Sequence, residues 1–143
     1  MAELLLIARL AGRRIAFPAA DVEAVVELEG LSPAPRALPH VAGLSALRSR
    51  VLTVIDGLAA LEAGRSEGAA RDAIVVPSGG HTYALLVEEV EDVIEAAGPP
   101  TPPRAPLGAG WDRVSLGMVE AENELFLLVD PHQLIAGPSV KAA

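Results

Sequence analysis

Ala16-Phe17-Pro18-Ala19-Ala20-Asp21-Val22-Glu23-Ala24-Val25-Val26-Glu27 aligns without a gap on Ala84-Leu85-Leu86-Val87-Glu88-Glu89-Val90-Glu91-Asp92-Val93-Ile94-Glu95, at an offset of 68. Val22, Glu23, Val25, Val26 and Glu27 then meet Val90, Glu91, Val93, Ile94 and Glu95. Glycine turns precede both copies, at Gly12 and at Gly79-Gly80. A second block begins at Gly43 and again at Gly117, an offset of 74, where Val51, Val54, Ile55, Asp56 and Leu61 meet Leu125, Leu128, Val129, Asp130 and Ile135. The offset changes across a proline-bearing joint whose length differs between the copies. Two gap-free blocks in the same order indicate an internal duplication, with a first repeat over residues 1–67 and a second over 68–143.

Each repeat reads as β structure. Residues 4–10, a turn at Ala11-Gly12 and residues 13–17 form a predicted hairpin; residues 73–76, the turn Pro77-Ser78-Gly79-Gly80 and residues 82–87 form its counterpart. A third strand is expected over 22–28 and 90–95, and a fourth over 51–55 and 125–129. Each fourth strand ends in an aspartate placed to cap a helix: Asp130 precedes Pro131, and Asp56 opens a segment with Leu58 and Leu61 on one face and Gly64 as its stop. Several short strands separated by Gly and Pro turns point to a mainly β fold of two similar small closed barrels, with short helices after the barrel strands and some exchange of terminal strands between them. Proline-bearing connections occupy 32–39 and 98–106, and a polar, glycine-bearing crossover joins the halves over 65–71.

Composition narrows the function. With 51% hydrophobic and 21% charged residues the chain can fill a core, which excludes a disordered protein. Its longest apolar runs, residues 4–8 among them, fall far short of the roughly 18 residues that suggest a membrane span. No export signal is read at the start, so a cytoplasmic address is the expectation. A net charge of −8 and 3% aromatic residues oppose nucleic acid, which is held through Lys and Arg on phosphates and through stacked bases. The same charge opposes anionic membranes. Absent cysteine removes disulfides, thiol catalysis and most structural zinc sites. Other proteins or small molecules remain as partners.

Residue chemistry adds little catalytic promise. His40, His81 and His132 lie far apart beside turns or a helix start, in no zinc spacing, and read as surface histidines. No G-x-S-x-G elbow occurs, and Ser78-Gly79-Gly80 lacks the lysine and helix of a phosphate loop. Glu88, Glu89, Glu91, Asp92 and Glu95 alternate with valines at strand spacing and read as a solvated face, as do Glu120, Glu122 and Glu124 around a turn at Glu122-Asn123. Trp111 reads as packing, and the run Pro99-Pro100-Thr101-Pro102-Pro103 as a stiff surface loop, with a polyproline ligand as the alternative. No catalytic residue, metal site or cofactor is assigned.

The stretch Val41-Ala42-Gly43-Leu44-Ser45-Ala46-Leu47-Arg48-Ser49-Arg50-Val51-Leu52-Thr53-Val54-Ile55-Asp56 resembles the signature of CheW-type coupling proteins, V-x-G-(apolar)-x-N-L-R-G-x-V-x-P-V-I-D-L. Gly43, Leu47, Arg48, Val51, Val54, Ile55 and Asp56 fit; Ala46, Ser49, Thr53 and Gly57 depart. Ala16-Phe17-Pro18 with Val25-Val26-Glu27-Leu28, then Leu85-Leu86-Val87-Glu88-Glu89-Val90, then Gly117 with Leu127-Leu128-Val129-Asp130, resemble the family's other blocks in order.

That resemblance implies two similar five-stranded β-barrel subdomains packed over a shared core, and a non-enzymatic adaptor of bacterial chemotaxis. It would bridge the cytoplasmic tip of a methyl-accepting chemoreceptor and the regulatory domain of a CheA-type histidine kinase, at chemoreceptor arrays, with no nucleic acid and no direct membrane insertion. No kinase core is expected in 143 residues. The kinase is expected on apolar strand ends, and the receptor in a groove between the barrels. Partner-binding candidates are Val25, Glu27, Gly43, Leu44, Arg48 and Val93, with Val25, Leu44 and Val93 lining the groove and Arg48 pairing with Glu27. The departures at Ala46 and Ser49 leave receptor choice open. Two alternatives are a kinase-binding module that competes with an ordinary coupling protein, and a small-ligand sensor with a pocket between the barrels.

Overall fold

The structure, a computed structural model, describes residues 3–28, 30–34, 37–66 and 71–138. The first repeat supplies β1 (Leu4–Leu10), β2 (Arg13–Pro18), β3 (Ala24–Leu28), β4 (Val41–Leu47), β5 (Arg50–Asp56) and α1 (Gly57–Ala60). The second supplies β6 (Arg71–Ser78), β7 (His81–Val87), β8 (Glu89–Glu95), α2 (Ala109–Val114), β9 (Ser115–Ala121), β10 (Glu124–Val129) and α3 (Pro131–Ala136). The centre of the crossover, 67–70, and residues 35–36 of the first proline-bearing connection lie outside the described residues.

Two five-stranded curled sheets form, ordered β8-β1-β2-β10-β9 and β3-β6-β7-β5-β4. Each takes its leading hairpin from one repeat and its other three strands from the other repeat, so the sheets do not follow the repeat boundary. The exchange is reciprocal. Offsets of 68 and 74 carry Ala16 onto Ala84 and Val54 onto Leu128. Both pairs are bridges in the parallel ladders, Leu128 opposite Ala16 and Val54 opposite Ala84. The duplication seen in the sequence is therefore a pseudo-twofold of the fold.

Strand alternation sorts the apolar residues into three clusters. On β1, Leu5 and Ile7 point into the first barrel with Phe126, Leu128 and Val119. Leu52, Val54, Val75 and Leu86 fill the second barrel. The intervening positions, Leu6, Ala8 and Leu10 on one sheet and Ile74, Val76 and Leu85 on the other, meet in a third and largest cluster together with Ile55, Leu127, Leu134 and Ile135. Each barrel is thus lined on its inner face and joined to its neighbour on its outer face. Fully burying an aliphatic side chain contributes about 1.5–3 kcal/mol, so the shared cluster binds the repeats together.

β4 and β9 add to the expected strands. Both are less buried than the strands they pair with, and each pairing shifts register beside a glycine. The preceding connection lies against each as a two-residue bridge, Ser32 with Leu44 and Thr101 with Met118. Gly43 and Gly117 permit that approach: they adopt φ +154° and +117°, and a Cβ there would lie 2.5 Å from the Ser32 carbonyl and 2.8 Å from the Thr101 carbonyl. The proline run is therefore a loop pinned at Thr101.

Both helices after the fourth-strand aspartates are present. Asp56 accepts from the Leu58 amide at 3.0 Å and from the Ser66 amide at 2.8 Å; Asp130 accepts from the His132 amide at 3.0 Å. α2 contains Trp111, expected just before a strand. Arg13 lies over its ring, 5.1 Å from the centroid. Arg113 of α2 donates to the Ala60 carbonyl at 2.5 Å and to the Gln133 carbonyl at 2.7 Å, closing the C-terminal ends of α1 and α3 with one cation. Burial lowers the pKa of this guanidinium, with Glu62 opposing the shift.

One histidine was misread from sequence. His40 is 3% exposed, not a surface residue. Its Nε2 donates to the Ile135 carbonyl at 2.8 Å, and its ring packs on Gly137. A position beside a turn carried no sign of this, because the partner lies in the other repeat.

Candidate functional site

The pseudo-twofold relates two of the three residues expected to line a groove, Val25 and Val93. Val25 of β3 stands opposite Ile74, and Val93 of β8 stands opposite Leu6. Directly paired residues share a face, and Ile74 and Leu6 belong to the shared cluster. Val25 and Val93 therefore continue that cluster to its rim, where they are 45% and 49% exposed. Leu44 sits on β4, half-buried, opposite Thr53 and bridged to Ser32. Gly43 is buried beneath Ser32, so it shapes the surface through the loop it admits.

The expected Arg48–Glu27 pair does not form. Arg48 occupies the β4–β5 turn with φ +57°, and among the described residues it makes no ion pair. Glu27 is exposed on β3, opposite Asp72. The pair in this region is Arg50 with Glu23, Nη2 to Oε2 at 2.5 Å. Its hydrogen bond holds the Glu23 carboxyl below its usual range. Arg50 begins β5 and reaches Glu23, the residue before β3, whereas Arg48 stands two residues earlier at the hairpin tip.

At the equivalent place in the second repeat, Arg50 and Glu23 are replaced by Glu124 and Glu91. Two carboxylates there would repel. Arg14 of β2 lies between them, 2.5 Å from Glu124 and 3.0 Å from Glu91. The alternating acidic stretch on β8 is exposed as expected, with Glu91 engaged by this arginine.

Two more apolar residues, not among the sequence candidates, form a matched pair. Val51 and Leu125 are 70% and 60% exposed near the starts of β5 and β10. They continue the faces of Ile55 and Val129 beyond the shared core. Their correspondence in the repeat alignment was the signal that could have found them. Beside Leu125, a cavity of about 440 Å³ is lined by residues that include Pro102, Pro103, Leu107 and Met118.

Asp21, Asp130 and His132 also converge, with one atom of each within 4.8 Å of the others. Each has a structural partner. Asp130 caps α3, His132 Nδ1 meets Ser78 Oγ at 3.0 Å, and its Nε2 lies 3.5 Å from Asp21. Among the described residues no helix is long and apolar enough to cross a membrane. The surface thus offers matched apolar positions around a duplicated scaffold.

The CheW-like domain model matches residues 4–138, and the chain belongs to that family, one of non-catalytic coupling and scaffold proteins of chemotaxis. Among solved structures it is similar to the scaffolding protein TtCheW from Thermoanaerobacter tengcongensis, with 21% identity and a TM-score of 0.77 over 94% of this chain and 88% of that one. No curated protein matches the sequence. The structural likeness shares the two-sheet architecture.

Proposed function

We infer that this protein is a cytoplasmic adaptor that couples a methyl-accepting chemoreceptor tip to the regulatory domain of a CheA-type histidine kinase. The observation that carries this reading is the family match over residues 4–138. The surface supports it. Val25 and Val93 place exposed valines at the rim between the barrels, where a receptor helix can lay an apolar stripe. Val51 and Leu125 place exposed anchors at strand ends, suited to a β-rich kinase domain.

Co-sedimentation with receptor-bearing membranes tests the reading. The protein should pellet with receptor alone, and should increase the amount of kinase that pellets with receptor. Binding to kinase without receptor would replace it with the competing-module reading. Binding to neither would overturn it.

A further inference from the structure

Two carboxylates and an imidazole meet where the chain passes from one sheet to the other. A short 3-10 turn, Ala19–Asp21, leads from β2 in one sheet to β3 in the other and carries Asp21. Asp130 and His132 stand at the start of α3, and Ser78 ends β6 beside His132. All four residues are half-buried.

Capping of α3 leaves coordinating atoms free. Asp130 caps through Oδ1 onto the backbone amide of His132, so the cap needs nothing from the imidazole. Among the described residues, Asp130 Oδ2 and the Asp21 carboxylate accept no hydrogen bond. His132 Nδ1 meets Ser78 Oγ at 3.0 Å; with the Nδ1 proton donated there, Nε2 turns its lone pair toward Asp21 Oδ1, 3.5 Å away. Two acceptors then face each other, and a proton shared between them would draw them to about 2.7–2.9 Å. Two ligand atoms bound at about 2.0–2.1 Å to a tetrahedral ion instead stand about 3.3–3.4 Å apart. The observed separation fits an ion between them. Asp130 is within reach of the same ion, since one atom of each of the three residues lies within 4.8 Å of the others.

The first repeat provides an internal comparison. At the offset of 74, Asp130 and His132 correspond to Asp56 and Leu58; at the offset of 68, Ser78 and Asp21 correspond to Leu10 and Glu89. Leu10 belongs to the shared apolar cluster and Leu58 packs against it. Asp56 caps α1 with one oxygen and accepts from the Ser66 amide with the other. The fold therefore needs only a capping aspartate and an apolar pair at these places. His132 with Ser78 is a polar addition confined to the second repeat, and Asp130 lacks the second partner its counterpart has.

We propose that Asp21, Asp130 and His132 bind a divalent transition-metal ion of the zinc type. One imidazole with two carboxylates suits such an ion, whereas calcium takes about six to eight oxygens, more than these residues supply. Its two positive charges balance the two carboxylates. Ser78 holds the far side of the ring, as the outer partners of metal-bound histidines do. Three protein ligands leave a fourth position to water. The bound ion ties the sheet-to-sheet connection at Asp21 to the last helix. No ligand spacing marks the site in the sequence, because Asp21 comes from the other repeat. The proposal rests on neither the receptor nor the kinase reading.

Calorimetric titration of the untagged full chain with zinc chloride tests it. One equivalent should bind in the micromolar range, and cobalt in its place should show the strong visible absorption of four-coordination. Asp130→Asn keeps a capping side chain, and His132→Ala keeps the amide that is capped, so both should retain the metal-free melting temperature. Each of these, and Asp21→Asn, should weaken zinc binding by about a hundredfold, and Ser78→Ala by about tenfold. His81→Ala should leave it unchanged. Excess zinc should raise the melting temperature of the wild type and not that of His132→Ala. The three ligand variants report on one ion, so a variant that fails to fold leaves the other two to decide. Wild-type protein that binds no zinc overturns the proposal. So does zinc binding undiminished in the folded ligand variants, which would place the ion elsewhere, or calcium bound as tightly as zinc.

Discussion

His40 Nε2 lies 2.8 Å from the carbonyl oxygen of Ile135, a hydrogen bond that ties the entry to β4 in the first repeat to the last helix of the second. The matching position in the second repeat is Val114, and both backbones do the same work: the amides of Asp56 and Asp130 donate to the carbonyls of His40 and Val114, each at 2.8 Å. The imidazole is thus an asymmetric addition to a symmetric frame.

Replacing it with an apolar side chain, His40→Leu, should leave the Ile135 carbonyl without that donor and lower stability by about 1–3 kcal/mol. Urea unfolding measures the change. An unchanged midpoint would show that the bond contributes nothing net.

Gly43→Ala and Gly117→Ala should each cost about 1–3 kcal/mol, because the backbone is strained for an L-residue and the new Cβ meets a carbonyl of the bridging loop. The two losses should be similar if the pseudo-twofold extends to energetics. Paired thermal melts compare them directly.

Separating the repeats after residue 67 should leave neither half folded. The first half alone would hold β1 and β2 from one sheet and β3, β4 and β5 from the other, with the shared cluster open to water. No cooperative transition is expected from either piece, and mixing the two should restore one. A cooperative melt from an isolated half would refute the prediction.

The Glu23 carboxyl should titrate below its ordinary value of 4.5, since Arg50 hydrogen-bonds its charged form. A lowered folded-state pKa contributes stability above the unfolded value and loses it as pH falls through the folded one. Because the pair is exposed to solvent, that contribution is small, and the direct readout is carboxyl titration by NMR. Arg50→Gln should return the Glu23 midpoint toward 4.5; Arg48→Gln should not move it. An unmoved midpoint in Arg50→Gln would show that the two groups do not pair in solution.

Val25→Lys should weaken receptor binding while leaving the circular dichroism spectrum and melting temperature nearly unchanged, because Val25 sits at the rim of the core and not within it. A matched loss of folding would assign Val25 to the core instead.

Strand positions, helix caps and the duplication were legible because they rest on local chemistry. Alternating valines and glutamates have only one way to present a wet face in a strand, and an aspartate before proline caps a helix wherever the chain then runs. β4 and β9 were harder to read, since Gly43, Ser45 and Ala46 give no clean alternation and the strands are completed by loop backbone at Ser32 and Thr101. Of the candidate site, Val25 and Val93 were recoverable as equivalent residues of the repeat. The Arg48–Glu27 pair was not, because side-chain reach depends on where the β4–β5 turn aims each arginine.

By itself the sequence determined that there are two copies of one β unit, where the helices after Asp56 and Asp130 begin, and which residues correspond under the pseudo-twofold. Those properties follow from periodicity and backbone preference over a few residues. Tertiary structure alone decided which repeat completes which sheet, that His40 is buried, and that Arg50 meets Glu23 while Arg48 and Glu27 stay unpaired with each other. In each of these the partner lies outside the local sequence pattern. Either hairpin has the same strand pattern whichever sheet it joins; the choice falls to the outer faces of two barrels, which can leave water only by packing on each other.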